Sequence, residues 1–191
     1  AGVAALMSRS AGKLVQAGAE LIICPNNTLH RAFDLVVSAV PWLHIVEPVT
    51  AEIRRMRLRR VGLLGTAEVM EGRIYHPRLS QAGIEVVLPE EHVRSRLHHI
   101  IRTELIRGQY TSPSRLYVQG MIESLAARGT EAVILGCTEL PLLLADEQSA
   151  LPLLDSTRLL AKAALQRCAP TVTSRSALAK RVSAPHVLSH K

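Results

Sequence analysis

The sequence predicts an α/β protein whose sheets are parallel and covered by helices. Three observations carry that expectation. Short apolar runs at 20–24, 61–64 and 131–135 alternate with stretches of helical period. Past their first residue the runs are apolar on both faces, as buried parallel strands must be. Glycines and prolines punctuate the boundaries: Gly18, Gly83, Gly108 and Gly129 stop helices, and Pro25 and Pro41 end a strand and a helix. In such sheets ligands bind beyond the carboxyl ends of the strands. Cys24, Thr66 and Cys137 all stand at such ends.

Taken in order, residues 3–16 place Val3, Leu6, Met7, Ala11 and Leu14 on one helical face. The strand at 20–24 follows, and then a helix from Asn27 or Thr28 to Val40. His44-Ile45-Val46 reads as a strand, and Pro48 suits the first turn of the next helix. After the strand at 61–64 a single helix is expected to about Ala82, then a strand at 84–88. A long helix at 91–107 carries Val93, Leu97, Ile100, Ile101 and Leu105 on one stripe, with His98 and His99 expected to face solvent. Ser112 reads as a helix cap followed by Pro113. The strand at 131–135 leads into Gly136-Cys137-Thr138-Glu139, and Asp155-Ser156-Thr157 starts a last helix to Cys168. The tail at 170–191 has no clear periodicity and reads as disordered.

Composition narrows the function classes. The 191 residues are 48% hydrophobic but only 3% aromatic, so the core is aliphatic. No apolar run approaches the ~18 residues of a membrane span, and no signal segment opens the chain. A cytoplasmic protein without membrane attachment is the expectation. The net charge of +7 is concentrated in Arg54–Arg60 and the tail, without interleaved aromatics. That describes a solvated basic face and not a nucleic-acid groove. Cys24, Cys137 and Cys168 form neither a closed disulfide set nor a zinc-ligand pattern, so free thiols and no metal are expected.

The candidate chemistry centres on Cys137. A helix starting near residue 138 would put the thiol at its positive end and lower its pKa toward neutrality, giving a base or nucleophile. Gly136 would let a ligand approach the backbone. The competing reading is a small apolar thiol closing a strand, and local context leaves both open. Cys24 is followed by Pro25 and by Asn26-Asn27-Thr28, which can orient a carboxylate or simply cap a helix. His30 would fall in that helix's first turn. Cysteine–histidine hydrolysis is the alternative for a reactive thiol, but no stretch pairs a histidine with a cysteine. Gly62-Leu63-Leu64-Gly65-Thr66 lacks the lysine of a phosphate loop and the third glycine of a dinucleotide fingerprint.

Several segments together resemble the cofactor-independent aspartate/glutamate racemases, especially the aspartate racemase branch. Cys137-Thr138-Glu139-Leu140-Pro141 after Val133–Gly136 is similar to the family's second cysteine motif. Val61–Thr66, with Met70 and Tyr75 downstream, resembles its central strand and turn. Glu104–Gly108 resembles a further recurring segment, and Asn27-Thr28-Leu29-His30 the first motif. The resemblance covers residues 1–168. It implies two pseudo-symmetric Rossmann-like halves with the active site between them: 1–45 plus 150–169, and 46–149. It also implies a first βα unit that this chain lacks, no cofactor, a small acidic substrate and a homodimer.

The implied reaction removes the α-proton of an acidic amino acid and returns a proton on the other face, which needs an acid/base on each side. Cys137 would serve one side. Asn27, Thr28, Thr66 and Thr138 would hold carboxylates and amine. The position of the first catalytic cysteine is Asn26, a neutral amide that cannot act as a base. Cys24 lies two residues earlier, on the same face of an extended strand but about 6–7 Å back. Val69 stands where the family commonly has a threonine. One thiol would suffice for a decarboxylase or isomerase of a small dicarboxylic acid. A binding paralogue without turnover is the non-enzymatic alternative.

Overall fold

The computed structural model describes residues 2–144 and 149–168. The tail at 170–191 lies outside the described residues. Helix α1 (Gly2–Gln16) leads to β1 (Ile22–Ile23), a 3₁₀ segment at Thr28–Leu35, and β2 (Trp42–Leu43). Then follow α2 (Val46–Arg55), β3 (Arg60–Leu64), α3 (Ala67–Met70), α4 (His76–Gln81) and β4 (Glu85–Val87). Helix α5 (Glu91–Thr103), a 3₁₀ turn at Leu105–Arg107, α6 (Ser112–Ala127), β5 (Ala132–Leu135), α7 (Leu140–Leu143), β6 (Leu153–Asp155) and α8 (Ser156–Cys168) complete the described elements.

Among the described residues every strand pairing is parallel. β1 and β2 form one small sheet, and the larger sheet has the order β4-β3-β5-β6. β3 and β5 are central, with Leu63 opposite Ile134 and Leu64 opposite Leu135. Val61, Leu63, Leu64, Val133 and Ile134 are fully buried, which is why these strands read as unbroken apolar runs. At about 1.5–3 kcal/mol per buried aliphatic side chain, this pair anchors the molecule. Its helices pack closely: a Cβ at Gly62 would come within 2.9 Å of Leu125 on α6. The glycine stops behave as expected at Gly83 and Gly129, which are left-handed at φ 72° and 78°.

Five elements differ from expectation, each for a local reason. The segment after Asn27 is 3₁₀, not α, and ends at Leu35. The β-branched Val36, Val37 and Val40 ahead of Pro41 oppose its continuation, and Val37 is left exposed. His44-Ile45-Val46 is not a strand. β2 ends at Leu43, because the His44 imidazole accepts the Val46 N–H at 3.2 Å and so starts α2. The expected single helix after β3 is two, since Pro77 lacks an N–H and takes an early position in α4. Helix α6 is capped by Thr111, whose hydroxyl accepts the Ser114 N–H, and not by Ser112. Leu153–Asp155 is an unforeseen strand that extends the larger sheet.

That last strand also divides the expected grouping of 150–169 with 1–45. β6 joins β5, because Leu153 and Leu154 bury against it, while α8 packs on α2 and β1 as well as β6. Among the described residues, no helix is long and apolar enough to cross a membrane.

Candidate active site

The ends of β3 and β5 are pressed together. The Gly136 N–H donates to the Leu64 carbonyl at 2.7 Å. A Cβ on Gly136 would lie 2.8 Å from Val69 and 3.1 Å from the Leu64 oxygen. A Cβ on Gly65 would lie 3.1 Å from both Val69 and the Gly136 oxygen. Both glycines therefore serve packing between two strand-end loops, a role additional to the ligand approach expected of Gly136. Val69 is buried and serves as the plug between them.

Beyond these ends lies a pocket of about 170 Å³ lined by Asn26, Asn27, Thr28, Thr66, Gly136, Cys137, Thr138 and Glu139, with Ile101, Arg102 and Ile106 contributed by α5 and the turn after it. β1 supplies the asparagine loop, β3 supplies Thr66, and β5 supplies the cysteine loop. Residues more than a hundred positions apart thus meet because the loops after strands of both sheets converge on one place.

Cys137 is buried, and its Sγ donates to Glu139 Oε2 at 2.9 Å. Burial pushes the thiol up to about 12, and the Glu139 carboxylate, as acceptor and as negative charge, pushes the same way. The amide N–H groups of Glu139 and Leu140 pull it down, but they lose. The expected lowering by a helix start is therefore overturned: α7 has one turn, and desolvation outweighs its few free donors. At neutral pH Cys137 is therefore a thiol, and Glu139, in hydrogen-bond contact, holds the proton-bearing form in place.

Cys24 is not in the pocket. Its half-buried thiol packs with Ala4, Met7 and Ala32 beneath α1, and burial raises its pKa. The extended path that would have aligned it with Asn26 stops at Ile23. Asn26 itself caps the 3₁₀ segment: its Oδ1 accepts the Leu29 N–H at 3.0 Å. Asn27 is buried and engaged inside the protein, accepting from the Tyr75 hydroxyl at 2.6 Å and donating to Ser156 Oγ at 3.0 Å. Thr28 and the exposed Thr138 line the pocket. Thr66 Oγ1 is buried yet has no hydrogen-bond partner among the described residues, which leaves a donor for a bound oxygen.

Three features escaped the sequence reading. Arg102 brings a cation to the pocket, but on a helix of mixed charges it reads as one more solvated arginine. His98 does not face solvent: it is half-buried, and its Nδ1 accepts the Ala67 N–H at 3.1 Å, holding the turn after Thr66. His30 lies in the first turn of the 3₁₀ segment, as expected, but faces inward. It is buried, with its Nδ1 2.9 Å from the Asn26 carbonyl and its ring 4.7 Å from that of buried His44. Among the described residues, no three His, Cys, Asp or Glu side chains are placed to hold a metal.

Fold and pocket together define an α/β protein that presents one thiol–carboxylate pair, hydroxyls, amides and a guanidinium at the meeting of parallel strand ends. Known proteins share that fold. The profile of the Asp/Glu/Hydantoin racemase family matches residues 1–164, and the chain belongs to this family. The broad specificity amino-acid racemase RacX of Bacillus subtilis (strain 168) is 30% identical over 152 residues, spanning 78% of this chain and 65% of RacX. This chain therefore spans just under two thirds of that relative's length. The crystal structure of a candidate Asp/Glu racemase from Yersinia pestis is 35% identical with a TM-score of 0.80, covering 86% of this chain and 73% of that one. An aspartate racemase homologue from Pyrococcus horikoshii OT3 is 32% identical with a TM-score of 0.77, covering 86% and 74%.

Proposed function

We propose that the protein moves the α-proton of a small acidic amino acid, aspartate or glutamate, with Cys137 as the acid/base, and that racemisation is the overall reaction without a cofactor. The observation that supports this most is the single pocket in which Cys137 and Glu139 meet Thr66, Thr138 and Arg102. Membership of the family and likeness to RacX agree with it.

In this reading Arg102 and the hydroxyls of Thr28, Thr66 and Thr138 hold the carboxylates. The Cys137 thiol, hydrogen-bonded to Glu139, loses its proton to solvent. The thiolate then removes the α-proton, and the electron pair left on the α-carbon spreads into the α-carboxylate. A proton returned from Cys137 restores the starting enantiomer, and one delivered from the opposite face inverts it. The β1 side of the pocket offers Asn26, Asn27 and Thr28, none of which is a base near neutral pH. Cytoplasmic residence and a homodimer belong to the same reading; analytical ultracentrifugation checks the second.

One observation favours a narrower activity. Cys24 packs under α1 and Asn26 occupies the pocket, so one thiol works alone, as in a decarboxylase or isomerase of a small dicarboxylic acid. Solvent-deuterium incorporation at the α-carbon of L- and D-aspartate and glutamate separates these. Exchange with inversion supports racemisation, and exchange of one enantiomer without inversion supports a single working face. Calorimetric binding without exchange supports a ligand-binding paralogue. Undiminished turnover by Cys137→Ala sinks the assignment of the thiol.

A further inference from the structure

We infer that Tyr75 and Ser156 are positioning residues for this pocket: through Asn27 they tie the asparagine loop to the cysteine loop and aim one amide N–H at the ligand. The inference rests on the reading that the acid binds in this pocket, but not on the chemistry assigned to Cys137.

The hydrogen bonds have a direction. Ser156 Oγ donates to the Leu135 carbonyl at 2.8 Å, which spends its only proton. It therefore accepts from Asn27, whose Nδ2 is 3.0 Å away. That fixes the Asn27 oxygen toward Tyr75, whose hydroxyl donates to it at 2.6 Å. Flipping the amide would set oxygen against the Ser156 lone pairs and leave the Tyr75 hydroxyl without its acceptor. Tyr75 and Ser156 are fully buried and Asn27 is 4% exposed, so water does not compete.

The network spans the pocket. Asn27 and Ser156 are 129 residues apart in sequence. Leu135 ends β5, two residues before Cys137, and Ser156 opens α8. An asparagine nitrogen carries two protons and Ser156 takes one. The other remains for an oxygen in the pocket that Asn27 lines. Asn27 thus contacts the ligand directly, while Tyr75 and Ser156 act through it.

The test uses Tyr75→Phe and Ser156→Ala in the full chain, with Ser114→Ala as control; Ser114 is also buried and hydrogen-bonded, but to Glu104 and outside the pocket. Folding is checked by circular dichroism, and all binding is measured well below each melting midpoint. Calorimetry with aspartate and with glutamate should show each network variant weakened about tenfold, the loss expected for one misaligned hydrogen bond, and the control unchanged. The Asn27 side-chain amide, observed by ¹⁵N NMR, should lose its slow hydrogen exchange in both variants. If wild type binds without α-deuterium exchange and the variants weaken binding, the racemase reading falls and this inference stands. If folded variants keep wild-type affinity, or the Asn27 amide is unaltered, the inference is overturned.

Discussion

Cys137 holds its proton, and Glu139 is the hydrogen-bond acceptor that helps to hold it there. This gives a prediction with a definite sign. Glu139 raises the thiol pKa as hydrogen-bond acceptor and as charge, so Glu139→Gln should lower it. Alkylation of Cys137 followed by mass spectrometry should then become faster at a given alkaline pH. Exposed Cys168 is the built-in reference. Slower alkylation in the variant would contradict the account of the shift. Arg102 supports a second prediction. Arg102→Gln should weaken aspartate and glutamate about tenfold or more, the range for losing a charge-assisted bond, and affect asparagine and glutamine much less. Equal loss for charged and neutral side chains would remove Arg102 from the recognition of the acid.

At the scale of elements, the pocket exists because the β3 and β5 ends touch. Gly136→Ala would put a methyl 2.8 Å from Val69 and 3.1 Å from the Leu64 oxygen. Backbone cannot give way cheaply, so a cost of about 1–3 kcal/mol is expected, read as a lower urea midpoint together with lost acid binding. Val69→Ala in the same background should recover part of the stability, because the clash is with its side chain. No recovery would mean that the Leu64 carbonyl, not Val69, sets the limit. The same contact explains why Val69 takes the threonine position: an apolar plug fits between two glycines better than a hydroxyl lacking a partner.

For the whole molecule, buried titratable groups fix the pH window of stability. Burial holds His44 down to about 3, with repulsion from His30 and Arg78 adding to it. Its folded pKa is depressed, so the unfolded chain binds more protons as pH falls below 6.5. The stability His44 contributes is complete above 6.5 and drains away toward pH 3, by about 5 kcal/mol at most. His44→Asn, which keeps an acceptor for the Val46 N–H, should flatten that acid limb in urea titrations. Cys137 works at the other end. Its folded pKa is raised, so its contribution is complete below 9 and declines as pH climbs toward 12. Cys137→Ala should flatten part of the alkaline limb; an unchanged limb would show that this thiol does not carry it.

The sequence by itself determined the parallel α/β class, the principal strands, the glycine helix stops and most of the pocket. Strands buried on both faces must be apolar throughout, and motifs beside them must fall at strand ends. Cys137, Asn26, Asn27, Thr28, Thr66 and Thr138 were legible for that reason, each standing directly after a run that had to be a strand. Tertiary structure alone decided which way each side chain works. It turned Cys24 away under α1, engaged Asn27 with Tyr75 and Ser156, brought Arg102 over from α5, and made β6 from an unremarkable Leu153–Asp155. It also reversed the expected thiol pKa, because helix-end donors are a local property while desolvation belongs to the assembled fold. Local sequence specifies where strands end; only packing between distant elements specifies what is buried there, and burial sets the charge state on which the chemistry depends.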